Sequence, residues 1–478
     1  MNKNQGQLVR GITLTTAIAL VSGSVIGSGI FISPSLMAGY IQSPGIIMLL
    51  FIIGGLFTLF GALSYGELAA AMPRAGGQYV FLREAFSPLI GFIYGWSLFL
   101  VIQTGTIAAV AIAFAKYLGV LIPSISEKAI LLSVPVGNGA FTLNAAQVVG
   151  AVSILILTII NCNGIKLGSL VQNVFTFLKI LAIVILVAAA FVLSKGSTAN
   201  FQPLTTPVIP ETIKLGLFAA LAVAMSKALF AYEAWHTVTF TAEEIENPKK
   251  NLPLALLWGT LIITAVYTAA TAAYFYLIPV KDAALVADNR IAAAAAKIVF
   301  GEGGLIFIAL AIMISTFGCN NGLIFSGARV YYAMARDGLF FKSLGKLCHV
   351  HNTPNNALVW QGIMAALLTL SGTYSSLLTY TTFASVLFNI LTVVGLFILR
   401  RKMPELERPY KVWGYPVVPA LFIIIGSAFL FFVVQGDPVN SLVGLGIVLL
   451  GLPLYFIFGK GMKKEDGAET DEAYQASV

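Results

Sequence analysis

The sequence predicts an all-α membrane protein of twelve transmembrane helices. Ten of them form a five-plus-five inverted repeat with broken helices 1 and 6, and helices 11 and 12 follow. Three observations predict this. The 478 residues are 58% hydrophobic and only 10% charged, against about 25% charged in soluble proteins. Apolar runs of about twenty residues, the length that crosses a bilayer, recur along the whole chain. The first and sixth of these runs are interrupted at mid-depth.

The runs fall near 12–38, 45–71, 88–118, 142–162, 168–193, 213–242, 254–279, 303–333, 356–372, 375–399, 416–434 and 441–459. No ionised side chain lies between Arg10 and Glu67. The first run is far longer than the roughly 7–15 residues of a signal-peptide core, and no small-residue cleavage site closes it, so it reads as an uncleaved span. Spans one and six start five spans apart, and an odd number reverses orientation. Residues 12–195 and 212–400 are therefore expected to form the two inverted repeats, with 416–459 holding the last two helices. Residues 1–11 are expected to be a cytoplasmic N-terminus, and 460–478 a polar, acidic, disordered cytoplasmic tail.

Twelve spans put both termini on one side. Of the 28 Lys and Arg residues, 19 fall in the loops on that side, 7 on the other, and Lys179 and Lys227 lie inside spans. By the positive-inside rule the first side is cytoplasmic. The net charge of +8 is thus scattered over short loops as topology control, and no nucleic-acid partner is expected. The three cysteines, Cys162, Cys319 and Cys348, have no metal-like spacing. Neither a disulfide scaffold nor a metal site is predicted, and no cofactor.

The break in span one reads Val25-Ile26-Gly27-Ser28-Gly29-Ile30-Phe31. In hydrocarbon every backbone polar group needs a partner, so a helix is interrupted only where the freed groups line a cavity or bind something. The second half-helix would expose N–H groups near Ser28, Gly29 and Ile30, with partial positive charge suited to a carboxylate. The first half would expose carbonyls near Val25 and Ile26 suited to an ammonium, as would Phe230-Ala231-Tyr232 of span six. Together they fit one α-amino acid zwitterion. The alternative for Gly27 and Gly29 is a small-residue helix-packing surface.

Lys179 is about twelve residues from either end of span five, roughly 18 Å of helix, too far for its stem to snorkel. It must face the interior and find a polar partner. Three roles are open. It is a fixed ammonium where a sodium-coupled relative would hold its ion, near Ser315 or Thr316 of span eight; a proton carrier tuned by burial; or a structural contact. Lys227 precedes the second break, and its candidate partner is Glu233. Otherwise Glu233 faces the cavity and attracts a substrate ammonium. His236 is a pH sensor or a hydrogen-bonded helix-start histidine. Phe230 and Trp235 are candidate lids. No metalloprotease, phosphate-loop or nucleophile-elbow motif is present, so no enzyme is predicted.

These residues resemble the amino acid–polyamine–organocation (APC) superfamily. The span-one signature carries the resemblance together with Pro73-Arg74-Ala75-Gly76-Gly77-Gln78-Tyr79, Glu246-Asn247-Pro248-Lys249-Lys250-Asn251-Leu252-Pro253, Ala335-Arg336-Asp337-Gly338, Arg408-Pro409-Tyr410-Lys411 and Gly414-Tyr415-Pro416. Lys179 and Phe230-Ala231-Tyr232 with Trp235 look most similar to the L-type amino acid transporters and their bacterial relatives. The resemblance implies a LeuT-like fold and sodium-independent transport, usually obligatory exchange. It implies carboxylate binding at Ser28 and Gly29, amine binding by the carbonyls of Ile26 and Phe230, gating by Phe230, and coupling through Lys179. The chain departs at Glu233 and Ala234, where many L-type members have two glycines. It also lacks a cysteine in residues 119–141, where animal members form a disulfide to a heavy chain, so no disulfide-linked heavy chain is expected.

The sequence therefore points to a multi-pass transporter of the cytoplasmic membrane that carries a small-molecule substrate through the lipid bilayer by alternating access. The cargo is read as a neutral, small L-amino acid, since no cluster of anionic side chains argues for polyamines. The rivals are a proton-coupled amino acid symporter and an amino-acid-binding membrane sensor without transport.

Overall fold

The computed structural model describes residues 8–126, 128–136, 139–371, 374–436 and 438–459. The segment expected to be a disordered tail lies outside them. The helices in chain order are α1 (Leu14–Val25), α2 (Gly29–Ala38), α3 (Pro44–Ala71), α4 (Gln78–Ala85), α5 (Pro88–Ser97), α6 (Gln103–Leu121), α7 (Ala145–Cys162) and α8 (Ile165–Val192). They continue as α9 (Leu217–Ala231), α10 (Pro248–Leu277), α11 (Val280–Ala283), α12 (Ile291–Phe300), α13 (Glu302–Arg336), α14 (Asn355–Ser371), α15 (Tyr374–Lys402), α16 (Val417–Gly436), α17 (Pro438–Leu449) and α18 (Gly451–Gly459). Among the described residues ten continuous or interrupted helices are long and apolar enough to cross a membrane. The predicted ninth span coincides with α14, of 17 residues, and the twelfth with α17 and α18, of 12 and 9 residues.

The structure adds one element to the all-α expectation. Ile130–Val136 (β1) and Gly139–Asn144 (β2) form an antiparallel pair outside the bundle. Helix α7 accordingly starts at Ala145, not at 142. Asn144 and Gln147 build a capping box there, with Asn144 Oδ1 accepting from the Gln147 N–H at 3.0 Å and Gln147 Oε1 from the Asn144 N–H at 2.9 Å. That Asn-x-x-Gln spacing is a helix-start signal readable in the sequence.

The bundle is organised around α1, which packs on α8, α10 and α13, while α2 packs on α9 and α12. The third span is α5 and α6 joined by a π-helical turn, Leu98–Ile102, after which Gln103 donates to the Leu323 carbonyl at 2.8 Å.

One end of the molecule gathers the motif segments into a polar layer. Gly76 and Gly77 have φ of +96° and +42°, and a Cβ on Gly77 would stand 2.6 Å from the Thr239 carbonyl oxygen. Only glycine fits so close a backbone approach. Tyr79 and Arg83 both donate to the Asp337 carboxylate. Arg400 grips Glu67 through two bonds of 2.8 and 2.6 Å, and the Val412 N–H joins them at 2.8 Å. Arg329, fully buried, holds Glu244 at 2.7 and 2.9 Å. A buried, bidentate pair of this kind leaves neither charge unpaired.

Candidate site between the two helix breaks

Helix α1 ends at Val25, and Ile26, Gly27 and Ser28 separate it from α2. The last turn of any helix leaves its carbonyls without intrahelical donors, and here each one can be traced. The Ser22 carbonyl accepts from the Ile26 N–H at 2.9 Å. Lys179 of α8 donates from Nζ to the carbonyls of Gly23 at 2.8 Å, Ile26 at 2.8 Å and Ser315 at 2.9 Å. The Cys319 thiol of α13 donates to Ser24 at 2.8 Å. The Tyr267 hydroxyl of α10 lies 2.9 Å from the Val25 carbonyl oxygen. Ser315 Oγ donates to Ile26 at 2.9 Å.

The second break follows α9. Tyr232 closes that helix and Glu233 donates its N–H to the Phe230 carbonyl at 3.1 Å. Ala234 stands at φ +75°, and a 3-10 helix, Trp235–Glu244, continues the chain. The left-handed conformation costs a non-glycine residue roughly 1–2 kcal/mol, so the turn is imposed by its surroundings.

The two breaks meet. Tyr267 Oη is 2.8 Å from the Ala231 carbonyl oxygen as well as 2.9 Å from that of Val25, so one hydroxyl stands between the ends of α1 and α9. A Cβ on Gly29 would sit 2.6 Å from the Ala231 Cα. The glycine therefore sets how closely the start of α2 approaches the end of α9. Gly27 faces Cys319 Sγ, with a Cβ there 2.9 Å from it. At the other end of the chain reversal, the Gly11 and Ile12 N–H groups both donate to the Glu244 carbonyl at 2.9 Å, tying the start of α1 to the end of the second broken helix.

The predicted site residues fall into this frame unevenly. Gly29 and Ile30 open α2, and Ser28 precedes it without a side-chain capping bond to the helix. The first N–H groups of any helix lack intrahelical acceptors; at this one the Phe31 N–H donates to the Ser28 carbonyl at 3.2 Å. Ile26 sits at the break, but its carbonyl accepts from both Lys179 and Ser315, which engages both lone pairs. Thr316 is not drawn in; its hydroxyl bonds back to Ile312 at 2.7 Å within its own helix.

Phe230 is 8% exposed and packs with Ala108 and Ala109. It also lines a small crevice with Lys227, Phe383 and Phe429. Glu233 accepts from Ser385 Oγ of α15 at 2.6 Å. Trp235 packs edge-on against Tyr65 at 4.8 Å. His236 lies among the rings of Tyr65, Trp235 and Phe240, and its Nδ1 has no hydrogen-bond partner among the described residues. It is thus a packed aromatic at that nitrogen, which differs from the expected hydrogen-bonded helix start. Tyr267 and Cys319 escaped the sequence reading.

Two interrupted membrane helices, with their loose ends closed by an ammonium, a thiol and hydroxyls, are an arrangement in which membrane transport proteins build their sites. The family model of the amino acid permeases matches residues 12–458, and the chain belongs to that family, within the APC superfamily. It is 31% identical over 456 residues to the human cystine/glutamate transporter, covering 95% of this chain and 86% of the relative. It is 29% identical over 464 residues to the human b(0,+)-type amino acid transporter 1 (94% and 88%) and 31% identical over 457 residues to the human large neutral amino acids transporter small subunit 2 (94% and 80%). The chain is therefore a multi-pass membrane protein of amino acid transport.

Proposed function

We propose that the protein is a sodium-independent exchanger of neutral, small L-amino acids that works by alternating access. The observation that carries this reading is the Lys179 ammonium bound by the carbonyls of Gly23, Ile26 and Ser315. Three carbonyls around one cation make a coordination site of the kind a sodium ion takes, and a covalently tethered charge fills it.

In this reading the substrate carboxylate sits on the N–H groups of Ser28, Gly29 and Ile30. The amine lies at the second break, near the Phe230 carbonyl and the Glu233 carboxylate, because the Ile26 carbonyl is already engaged. Phe230 and Trp235 gate the site. Lys179 and Ser315 transmit occupancy to α1. The twelve-span topology belongs to the same proposal. Residues 12–195 and 212–400 are the inverted repeats of a LeuT-like fold, 416–459 adds the last two helices, and both termini lie in the cytoplasm of a cell whose cytoplasmic membrane holds the protein. One relative is named a small subunit; with no cysteine in residues 119–141, this chain is proposed to act without a disulfide-linked heavy chain.

The test is radiolabelled uptake into proteoliposomes. Exchange requires amino acid inside the vesicle and persists without sodium. Uptake into empty vesicles driven by an inward proton gradient replaces this reading with proton-coupled symport, for which the buried Glu233 is the carrier. Ligand-induced thermal stabilisation with no flux would make the protein a sensor. A panel of unlabelled competitors assigns the cargo.

A further inference from the structure

A second concavity lies away from the helix breaks, at the polar end of the bundle. It encloses about 460 Å³ between α3, the first turns of α10 and residues 409–413. Leu63, Leu254 and Leu257 form its floor, the exposed Trp413 one wall, and Lys249 and Lys250 its rim. Lys249 is bridged to Glu407 at 2.6 Å. Lys250 is exposed and makes no ion pair among the described residues. We propose that this groove binds an anionic glycerophospholipid, with the phosphodiester at Lys250 and an acyl chain over the leucine floor.

The occupant follows from three properties of the groove. Its rim carries net positive charge on the opening turn of a 30-residue helix, whose dipole adds to the attraction for an anion. Its floor is apolar, which gives a free phosphate or other soluble anion nothing but is matched by a hydrocarbon chain. The floor continues directly into the outward face of α10, where Trp258 and Leu261 are 51% and 39% exposed. A chain entering from the bilayer thus stays on apolar surface throughout. Trp413, 72% exposed, has the amphipathic ring that settles at the headgroup level of a membrane. Basic rims over apolar clefts between membrane helices are the chemistry that anionic headgroups select.

The groove is also mechanically placed. Its 409–413 wall is anchored through the Val412 N–H to Glu67 on α3, and its floor is shared by α3 and α10, which pack extensively on each other. A bound lipid would brace these three segments together.

Native mass spectrometry of the full chain released from detergent tests this, with phosphatidylglycerol and phosphatidylcholine titrated separately. The expected result is preferential retention of one phosphatidylglycerol. Lys250→Glu should weaken phosphatidylglycerol about fivefold or more, from the loss of one interfacial cation, and weaken phosphatidylcholine less, since its choline offsets the phosphodiester charge. Leu257→Trp, which fills the floor, should weaken both lipids; should it fail to fold, the surface variant Lys250→Gln carries the test by lowering the phosphatidylglycerol preference alone. Equal retention of the two lipids, or unchanged phosphatidylglycerol binding by both Lys250 variants, overturns the proposal. So does a lipid-free dimer that Lys250→Glu dissociates, which would make the groove a contact between copies.

Discussion

At the first break the carbonyls from Ser22 to Ile26 are closed mainly from outside, by Lys179 of α8, Tyr267 of α10, and Ser315 and Cys319 of α13. At the second break the closure is mostly local. Glu233 folds back on Phe230, Thr237 donates both its N–H at 3.2 Å and its hydroxyl at 2.8 Å to Ala234, and the Ala231 carbonyl shares the single Tyr267 O–H with that of Val25. The difference teaches where motion costs least. Displacing α1 means breaking bonds to three helices, including those of a buried cation, whereas the second break keeps its local carbonyl closures and is tied outward through neutral donors and one carboxylate, Tyr232 to the Phe51 carbonyl at 2.9 Å and Ser385 to Glu233 at 2.6 Å. The two are joined by one hydroxyl, by one close backbone approach at Gly29 and, further along α2, by the Ser33 hydroxyl donating to the Lys227 carbonyl at 2.8 Å. Each of these features can be removed singly.

The largest effect is expected at Lys179. Lys179→Ala leaves three buried carbonyls without their charged donor, and stranding buried groups in this way costs about 3 kcal/mol or more. Exchange in preloaded proteoliposomes should fall at least a hundredfold while the protein still elutes as a monodisperse peak. A rate within threefold of wild type would mean that the first break does not need its tethered cation. Restoration of the variant by sodium would show that the three carbonyls accept a free ion in place of the ammonium.

Gly29→Ala comes next. Its Cβ would stand 2.6 Å from the Ala231 Cα, backbone that cannot swing aside, so α2 and α9 must separate. Overpacking of this sort costs about 1–3 kcal/mol, and the half-saturating substrate concentration should rise roughly tenfold or more. Equal activity would mean that the N–H end of the first break is not a substrate contact. Tyr267→Phe is the milder cut, removing only the shared hydroxyl between Val25 and Ala231. One buried hydrogen bond is worth about 1 kcal/mol, so exchange should change about fivefold. An unchanged rate would uncouple the breaks from each other.

Much of the first break was legible because it obeys a rule that allows few exceptions. A Gly-Ser-Gly run inside an apolar span demands partners, and a lysine as deep as Lys179 demands acceptors; the structure joins these two demands to each other. Ser315 was legible only as a neighbour of that lysine. Tyr267 and Cys319 were not, since a hydroxyl or thiol on an apolar helix gives no sequence sign of whether it points at a carbonyl or into ordinary packing. The β1–β2 pair escaped for another reason. Ile130, Leu131, Leu132 and Val134 are all exposed at 41% or more, so the strand has no alternating buried face from which its period can be read. Glu233 stands in the second break, where its place in the sequence puts it, but its Ser385 partner comes from a helix more than 150 residues away and follows from packing alone.

The smallest expected effect bears on the second break by itself. Ala234 holds φ at +75°, a conformation disfavoured for alanine by about 1–2 kcal/mol and open to glycine at an entropic cost of about 0.5–1 kcal/mol. Ala234→Gly should therefore stabilise the fold by a few tenths of a kcal/mol to about 1, read as a rise of about 1–2 °C in the unfolding temperature of detergent-solubilised protein. The same substitution gives the turn access to both signs of φ. If the second break is the one that changes shape, glycine should raise the exchange rate modestly as well as the melting temperature. If Ala234 instead serves as a fixed wedge that presents Glu233 to Ser385, the variant should gain stability while losing discrimination among competing amino acids. Measuring both quantities on one variant separates a hinge from a wedge, which the hydrogen bonds around the break, being compatible with either, do not.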